Sequence, residues 1–248
     1  MVTATASERM TVPSVAVSVD SSLGTKLLPG VLSIIAGSVD IISFLGLGGL
    51  FAAHITGNLV VLAAHIVTGR SVASLVPILS VPVFIAVLGL TRLVAAGLEK
   101  AGYCPLQPLL ALQLVLLVSL LTIWVAVGSG LDPAVPTGVV AGLLGVAAMA
   151  VQNALVRFLV GAPATSVMTT DVTTFMMDVG AILFRHDPNE IAYARSRARR
   201  TWPAIVGFTV GCSFGAILEV VIGPWSLALP IGFALLALAL GFSVNEGI

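Results

Sequence analysis

Polar and ionisable side chains occur inside segments of this chain that are otherwise apolar. The stretch FAAHITGNLV, residues 51–60, contains His54, Thr56 and Asn58, and Asp40 lies in the apolar segment before it. An ionised carboxylate at the centre of a bilayer costs about 2.5 kcal/mol or more, so it must face a protein interior and needs a partner. An imidazole can carry a proton near neutral pH. These residue types predict a polar lining that could hold a solute or ion and move a proton.

A second polar set follows later in the chain and comprises Gln152, Asn153, Thr169 and Asp171. Sliding the sequence by 113 residues places Asp40 on Asn153 and Asn58 on Asp171 without a gap. Further along, the offset grows to 121 residues and Pro82 falls on Pro203. Identity is weak but the order of features is kept, so we predict two internal repeats.

We predict one substrate-binding site at the bilayer midplane between the repeats, formed by Asp40, His54, Thr56, Asn58, Gln152, Asn153, Thr169 and Asp171. No catalytic residue and no metal ligand are assigned. A structural alternative stands beside this site, because polar side chains also join transmembrane helices through hydrogen bonds of about 0.6–2 kcal/mol. An Asp–His or Asp–Arg clamp is the competing explanation, with Arg157 as one candidate partner for Asp171.

The composition predicts an integral membrane protein. Of the 248 residues, 58% are hydrophobic and only 9% are charged, with a mean hydropathy of +1.13. Soluble domains carry roughly 25% charged residues, so lipid must cover much of this surface. Residues 1–27 have no continuous apolar run and are predicted to be a flexible cytoplasmic tail rather than a cleaved signal peptide.

The fold predicted from these patterns is all-α, a polytopic bundle of membrane helices. Repeat 1 is assigned to residues 28–128 and repeat 2 to residues 129–248. Eight hydrophobic segments approach the length of about 20 residues that a crossing needs: 30–46, 50–69, 73–92, 107–128, 137–156, 163–184, 203–223 and 225–244. In the alternative, 30–69 and 137–184 each cross only once, as a span plus a re-entrant or broken helix, which gives six crossings and inverted repeats.

The basic residues predict the orientation, because Lys and Arg accumulate in cytoplasmic loops. Loop 185–201 contains five arginines and is therefore placed in the cytoplasm. Eight crossings put eight basic residues inside and three outside, whereas six crossings put nine inside and only Arg70 outside, with Arg157 at membrane depth. Charge favours six crossings and segment length favours eight, which we slightly prefer. Both models place the two termini in the cytoplasm.

Several functions are not supported by the sequence. The net charge is zero and no basic stripe suggests nucleic acid. Cys104 and Cys212 share no motif spacing, so a metal site or catalytic pair is not expected. No GxSxG, HExxH or Walker motif is present. We expect neither an enzyme nor a bound cofactor.

Two stretches carry a family resemblance: AGSVDIISFLGLGGLFAAHITGNLVVL, residues 36–62, and AVQNALVRFL, residues 150–159. They resemble the hallmarks of the YoaK family, a large bacterial family of uncharacterised multi-pass membrane proteins. The resemblance covers about residues 28–245 and implies a multi-pass protein of the bacterial plasma membrane. It supplies no substrate. This chain departs from the family pattern at His54 and at Asp171, where a carboxylate stands and a glycine is missing.

The function predicted from the sequence is a secondary transporter or permease for a small solute, with His54 or Asp171 as the candidate proton carrier. The alternative is a non-transporting scaffold, regulator or lipid-binding protein whose polar residues are structural clamps. Expected partners are a small solute or ion and the lipid bilayer, and homo-oligomerisation is left open.

Overall fold

The computed structural model describes residues 17–18, 23–68, 76–128, 131–160 and 168–245, and these residues are almost entirely helical. The helices are α1 (Leu23–Gly46), α2 (Ile55–Val67), α3 (Val76–Lys100), α4 (Leu106–Val127), α5 (Pro136–Val156), α6 (Met168–Phe184), α7 (Pro188–Ile222) and α8 (Ala228–Asn245). A 3-10 helix, Gly223–Leu227, joins α7 to α8. Two short strands, β1 (Val17–Ser18) and β2 (Leu159–Val160), pair in parallel.

Five helical stretches of the described residues are long and apolar enough to cross a membrane: Lys26–Gly46, Val76–Lys100, Leu106–Val127, Pro136–Val156 and Pro188–Phe242. The last stretch contains both α7 and α8. α2 and α6 have only 13 and 17 residues and are not among these candidates. The chain is therefore a protein of apolar membrane helices, as predicted, while the predicted eight crossings are not confirmed.

The first helix begins earlier than the sequence analysis predicted, at Leu23 rather than near residue 30. Pro29 is the seventh residue of this helix, past the first turn, so its missing N–H leaves one bond out of the hydrogen-bond ladder. The predicted flexible tail therefore contains the start of a helix and one short strand. The rest of that tail, residues 1–16 and 19–22, lies outside the described residues.

α1 is the central helix and runs parallel to α7. Going along both helices, Gly30 lies beside Pro203, Gly37 contacts Phe208, and Gly46 lies near Glu219. Glycines of α7 make equally close contacts with the backbone of α1. Small residues allow two helix backbones to approach each other in a membrane, where no hydrophobic force drives them together.

The contacts between α4 and α5 show that these two helices run in opposite directions. The Gln152 side chain of α5 bonds to α1 at Leu32 and to α4 at Gln113, and Gly145 of α5 lies beside Leu120 of α4. Residue numbers thus fall along α5 as they rise along α4, which makes the pair antiparallel.

The directions of α3 and α8 follow from similar contacts. In α3, Val76 lies beside Gly142 and Arg92 lies over the ring of Phe158, so α3 is parallel to α5. α8 is antiparallel to α4, since Gly241 contacts Leu110 while the start of α8 adjoins the other end of α4. Helices α1, α4 and α7 therefore run one way, and α3, α5 and α8 run the other way.

The bundle has two chemically different ends. One end, called here the basic end, contains the N-terminal ends of α1 and α7 and the C-terminal ends of α3, α5 and α8. Every Lys and Arg among the described residues lies at or near it: Lys26, Arg92, Lys100, Arg157, Arg185, Arg195, Arg197, Arg199 and Arg200. The opposite end, the Trp124 end, contains Trp124, Asp132, Glu219 and Trp225 and no basic residue among those described.

Candidate functional site

A non-helical segment, residues 47–54, turns back into the bundle after α1 ends at the Trp124 end. Gly48 and Gly49 have φ angles of 67° and 90°, in the left-handed region where glycine is favoured because it has no Cβ. The Ala53 N–H then donates to Asp40, which precedes the end of α1 by six residues. Six helical residues span about 9 Å, so residues 47–54 return about 9 Å along α1, away from the Trp124 end, before α2 begins. Residues 47–54 are called the re-entrant segment below.

Asp40 binds the C-terminal end of the re-entrant segment, at Ala53 and His54. Its Oδ1 accepts hydrogen bonds from the backbone N–H of Ala53 at 2.6 Å and of His54 at 3.4 Å. Its Oδ2 contacts Nδ1 of the His54 ring. The carboxylate is only 3% exposed, and these donors replace the water it has lost. Asp40 and His54 were predicted to lie in one site, and the fold does bring them together.

A cavity of about 250 Å³ lies beside this pair and is formed by Asp40, Ile41, Phe51, His54, Phe208 and Cys212. The His54 ring meets the Phe208 ring edge-on, with 5.2 Å between centroids. The His54 side chain remains 29% exposed. The imidazole therefore contacts a carboxylate through Nδ1, while part of the side chain remains exposed.

Asn58 fixes the re-entrant segment at a second point. Its Oδ1 accepts from Phe51 N and its Nδ2 donates to Phe51 O, both at 2.8 Å. The same Nδ2 donates to Ser80 of α3 at 3.0 Å. Asn58 therefore uses its amide to satisfy backbone groups, and it does not face the cavity. Thr56, in the first turn of α2, is exposed.

Gly57 has a packing role. Thr56, Gly57 and Asn58 all lie within α2, which begins at Ile55. A Cβ at Gly57 would lie 2.8 Å from the Phe51 ring, so glycine is needed for that ring to fit.

The residues of the second polar set lie apart from this pair. Gln152 is buried and donates to Leu32 O at 2.9 Å, while it accepts from Gln113 at 2.6 Å, so it joins three helices. Thr169 is exposed and Asp171 is buried, both in the first turn of α6. Oδ2 of Asp171 has no hydrogen-bond partner among the described residues.

Asn153 lines a different cavity, of about 610 Å³, between α3 and α5. Its amide donates to Met149 O at 2.9 Å. Asp40 and His54 therefore line one cavity and Asn153 lines another, and the described residues do not bring all eight predicted residues into one lining. The reason is that the amides are used by backbone groups and by other helices.

Asp178 of α6 is fully buried and pairs with Arg197 of α7, which contacts both carboxylate oxygens through Nε at 2.9 and 3.0 Å. The candidate partner named from the sequence for the acidic residues of this helix, Arg157, lies elsewhere, at the close of α5. Three further residues take part in these contacts and were not predicted from the sequence: Ser80, Gln113 and Phe208. Ser80 and Gln113 could have been noticed, because each is a polar residue in an apolar helix.

Comparison with known proteins identifies the family. Residues 28–240 match the family described as Protein of unknown function (DUF1275). The chain belongs to this family. The match covers nearly the same residues as the resemblance noted above, and it agrees with an uncharacterised family of apolar helical proteins. No curated protein and no solved structure matches the chain.

Proposed function

We propose that the chain crosses the membrane six times and consists of two inverted repeats, α1–α4 and α5–α8. The directions of α1, α3, α4, α5, α7 and α8 alternate along the chain, which leaves no crossing for α2 or α6. Helix contacts also occur in matching pairs: α1 packs on α7 and α8, while α5 packs on α3 and α4. Three crossings per repeat place the two repeats in opposite orientations, as in many transporters.

The basic end faces the cytoplasm in this proposal. Lys and Arg are retained on the cytoplasmic side of membrane proteins, and all nine of those in the described residues lie at or near one end. The described chain also starts and ends there, at α1 and α8. The protein would then be a multi-pass protein of the bacterial plasma membrane with both termini inside.

The function that this geometry supports best is transport of a small solute, coupled to a proton carried by Asp40 and His54. The observation that carries the proposal is the position of this pair, at the end of a re-entrant segment and on the wall of a cavity. Non-helical backbone at membrane depth is tolerated where it is buried in protein or lines a cavity, and transporters place their binding sites there. The solute site is narrower than predicted and centres on Asp40, His54 and Phe208.

A second candidate is a non-transporting scaffold or regulator, in which the polar residues only hold helices together. The contacts of Asn58 with Phe51 and of Gln152 with Leu32 favour it, because each amide is used for packing. In this case the bond between His54 and Asp40 would be one more clamp.

Substitutions of His54 distinguish the two candidates. Purified protein is screened by thermal unfolding against metabolites and ions, at about pH 5.5 and pH 7.5, and solutes that stabilise it are tested for proton uptake in proteoliposomes. A solute present at about 100 times its Kd adds about 2.7 kcal/mol of stability. His54→Gln leaves the Ala53–Asp40 hydrogen bond in place and should abolish solute-driven proton uptake. His186→Gln, on an exposed loop, is the matched control.

Transport that persists unchanged in His54→Gln would overturn the proton-carrying role. The absence of any stabilising solute, together with a His54→Gln protein that is merely less stable, would favour the scaffold.

A further inference from the structure

The larger cavity, between α3 and α5, has an apolar wall and a basic mouth. Its lining comprises Phe84, Ile85, Leu88, Gly89, Arg92, Asn153, Ala154 and Arg157. From Phe84 to Arg92 the wall follows α3 for eight residues, a length of about 12 Å. Ile85 is 64% exposed, so the apolar part of the cavity opens on the surface that lipid covers.

Two guanidinium groups form the mouth. Arg92 lies with its Cζ 5.1 Å from the centroid of the Phe158 ring, which holds its side chain toward α5. Arg157 follows the last turn of α5. Neither arginine has a carboxylate within salt-bridge distance among the described residues, unlike Arg185 and Arg197. Two exposed positive charges thus converge on one cavity without an anion from the protein.

We propose that this cavity binds one anionic phospholipid, with the phosphate at Arg92 and Arg157 and an acyl chain along Phe84, Ile85 and Leu88. Arginine is well suited to phosphate because its planar guanidinium donates several hydrogen bonds. Basic pockets between helices on the cytoplasmic side recognise anionic headgroups in this way. The apolar wall favours a lipid over a free anion, because a free anion would leave that wall unused. The proposal does not depend on whether the protein transports a solute.

The test measures binding of phosphatidylglycerol, with phosphatidylcholine as the neutral lipid and inorganic phosphate as the free anion. Binding is followed on the purified full chain by native mass spectrometry and by the shift in Tm. We expect phosphatidylglycerol to bind selectively. The double variant R92Q/R157Q should lose about 30-fold in affinity, since each basic residue near an anionic lipid contributes about five-fold.

The matched control is the double variant R195Q/R199Q, which removes the same charge from exposed positions at the same end of the bundle. It should retain selective binding. If phosphatidylglycerol stabilises all three proteins equally, the attraction is a property of the whole basic end and the site does not exist. If inorganic phosphate binds through the same arginines with similar effect, the lipid assignment is wrong.

A second pair of variants tests the apolar wall without touching the arginines. Around Gly89, no described atom lies within 4 Å of an added Cβ, and the same holds for Gly97 further along α3. Gly89→Leu should fill the cavity and weaken phosphatidylglycerol binding with little loss of stability. Gly97→Leu, outside the cavity, should leave binding intact. Equal binding by both variants would overturn the position proposed for the acyl chain.

Discussion

Asn58 forms two hydrogen bonds with the backbone of Phe51, one with the N–H and one with the carbonyl, both 2.8 Å long. A side-chain amide here takes the place of a neighbouring strand. The backbone of the re-entrant segment needs such partners because water and lipid cannot supply them inside the bundle. Asn58 thus satisfies the backbone of Phe51, while Asp40 satisfies that of Ala53 further along the same segment.

Replacing Asn58 with Ala should lower the free energy of unfolding by about 2 kcal/mol or more, since two backbone groups of Phe51 lose their partners. Ser80→Ala removes only one bond to the same amide and should cost about half as much. Denaturant titration in mixed micelles measures both. Equal losses in the two variants would mean that the bonds to Phe51 contribute nothing to stability.

The close approach of α1 and α7 requires glycine. An added Cβ at Gly211 would overlap the backbone of Ile34, and backbone cannot move aside as a flexible side chain can. Gly211→Ala should therefore lower Tm clearly, at a cost of roughly 2–3 kcal/mol. Gly232→Ala on α8 meets no described atom within 4 Å and is the control. It should be neutral or slightly stabilising, because alanine favours helix. A stable Gly211→Ala protein would contradict the parallel contact described here.

The two partners of the Asp178–Arg197 pair should respond unequally to substitution. The Asp178 side chain is 1% exposed and the Arg197 side chain is 45% exposed. Arg197→Gln leaves a buried carboxylate without its cation and should cost roughly 2 kcal/mol or more. Asp178→Asn leaves a half-exposed guanidinium that water can solvate, and should cost less. Thermal unfolding of both variants, with Arg199→Gln as the control, tests this order, and the reverse order would show that the carboxylate is solvated.

Asp171 should make stability depend on pH. It lies in α6, outside the candidate membrane spans, and burial raises the pKa of its carboxyl to about 6. Between about pH 4 and pH 6 the folded protein therefore binds more protons than the unfolded chain, and stability falls as the pH rises through this window. Above about pH 6, the ionised carboxylate of Asp171 destabilises the folded protein by the full amount.

Asp171→Asn removes that cost and should be more stable than the wild type by roughly 2 kcal/mol at about pH 7.5. The difference should shrink as the pH falls through this window and vanish below about pH 3.5, where the carboxyl is protonated in both the folded and the unfolded protein. Tm measured against pH tests both statements. Asp132→Asn, which removes the same charge from an exposed loop, is the control. A destabilised Asp171→Asn protein at neutral pH would mean that the ionised carboxylate has a stabilising partner.

The sequence by itself determined that lipid surrounds this protein, and it determined the approximate positions of the long helices. Only 9% of its residues are charged, so the chain cannot cover its surface with polar groups, and lipid must do so. Apolar length then located the long helices, because a crossing has a fixed minimum length. The sequence also placed Asp40 and His54 in one predicted site, since a buried charge requires a partner.

Only the tertiary structure decided which polar residues meet and how the short segments run. Length could not distinguish a crossing helix from α2, because residues 50–69 are apolar enough to span. The turn at Gly48 and Gly49, and the hydrogen bonds of Asn58 and Asp40, reverse the chain before α2 begins. Hydrogen bonds between residues that are distant in sequence have no local pattern. For the same reason Arg92 and Arg157 could be recognised as neighbours only after α3 and α5 were seen side by side.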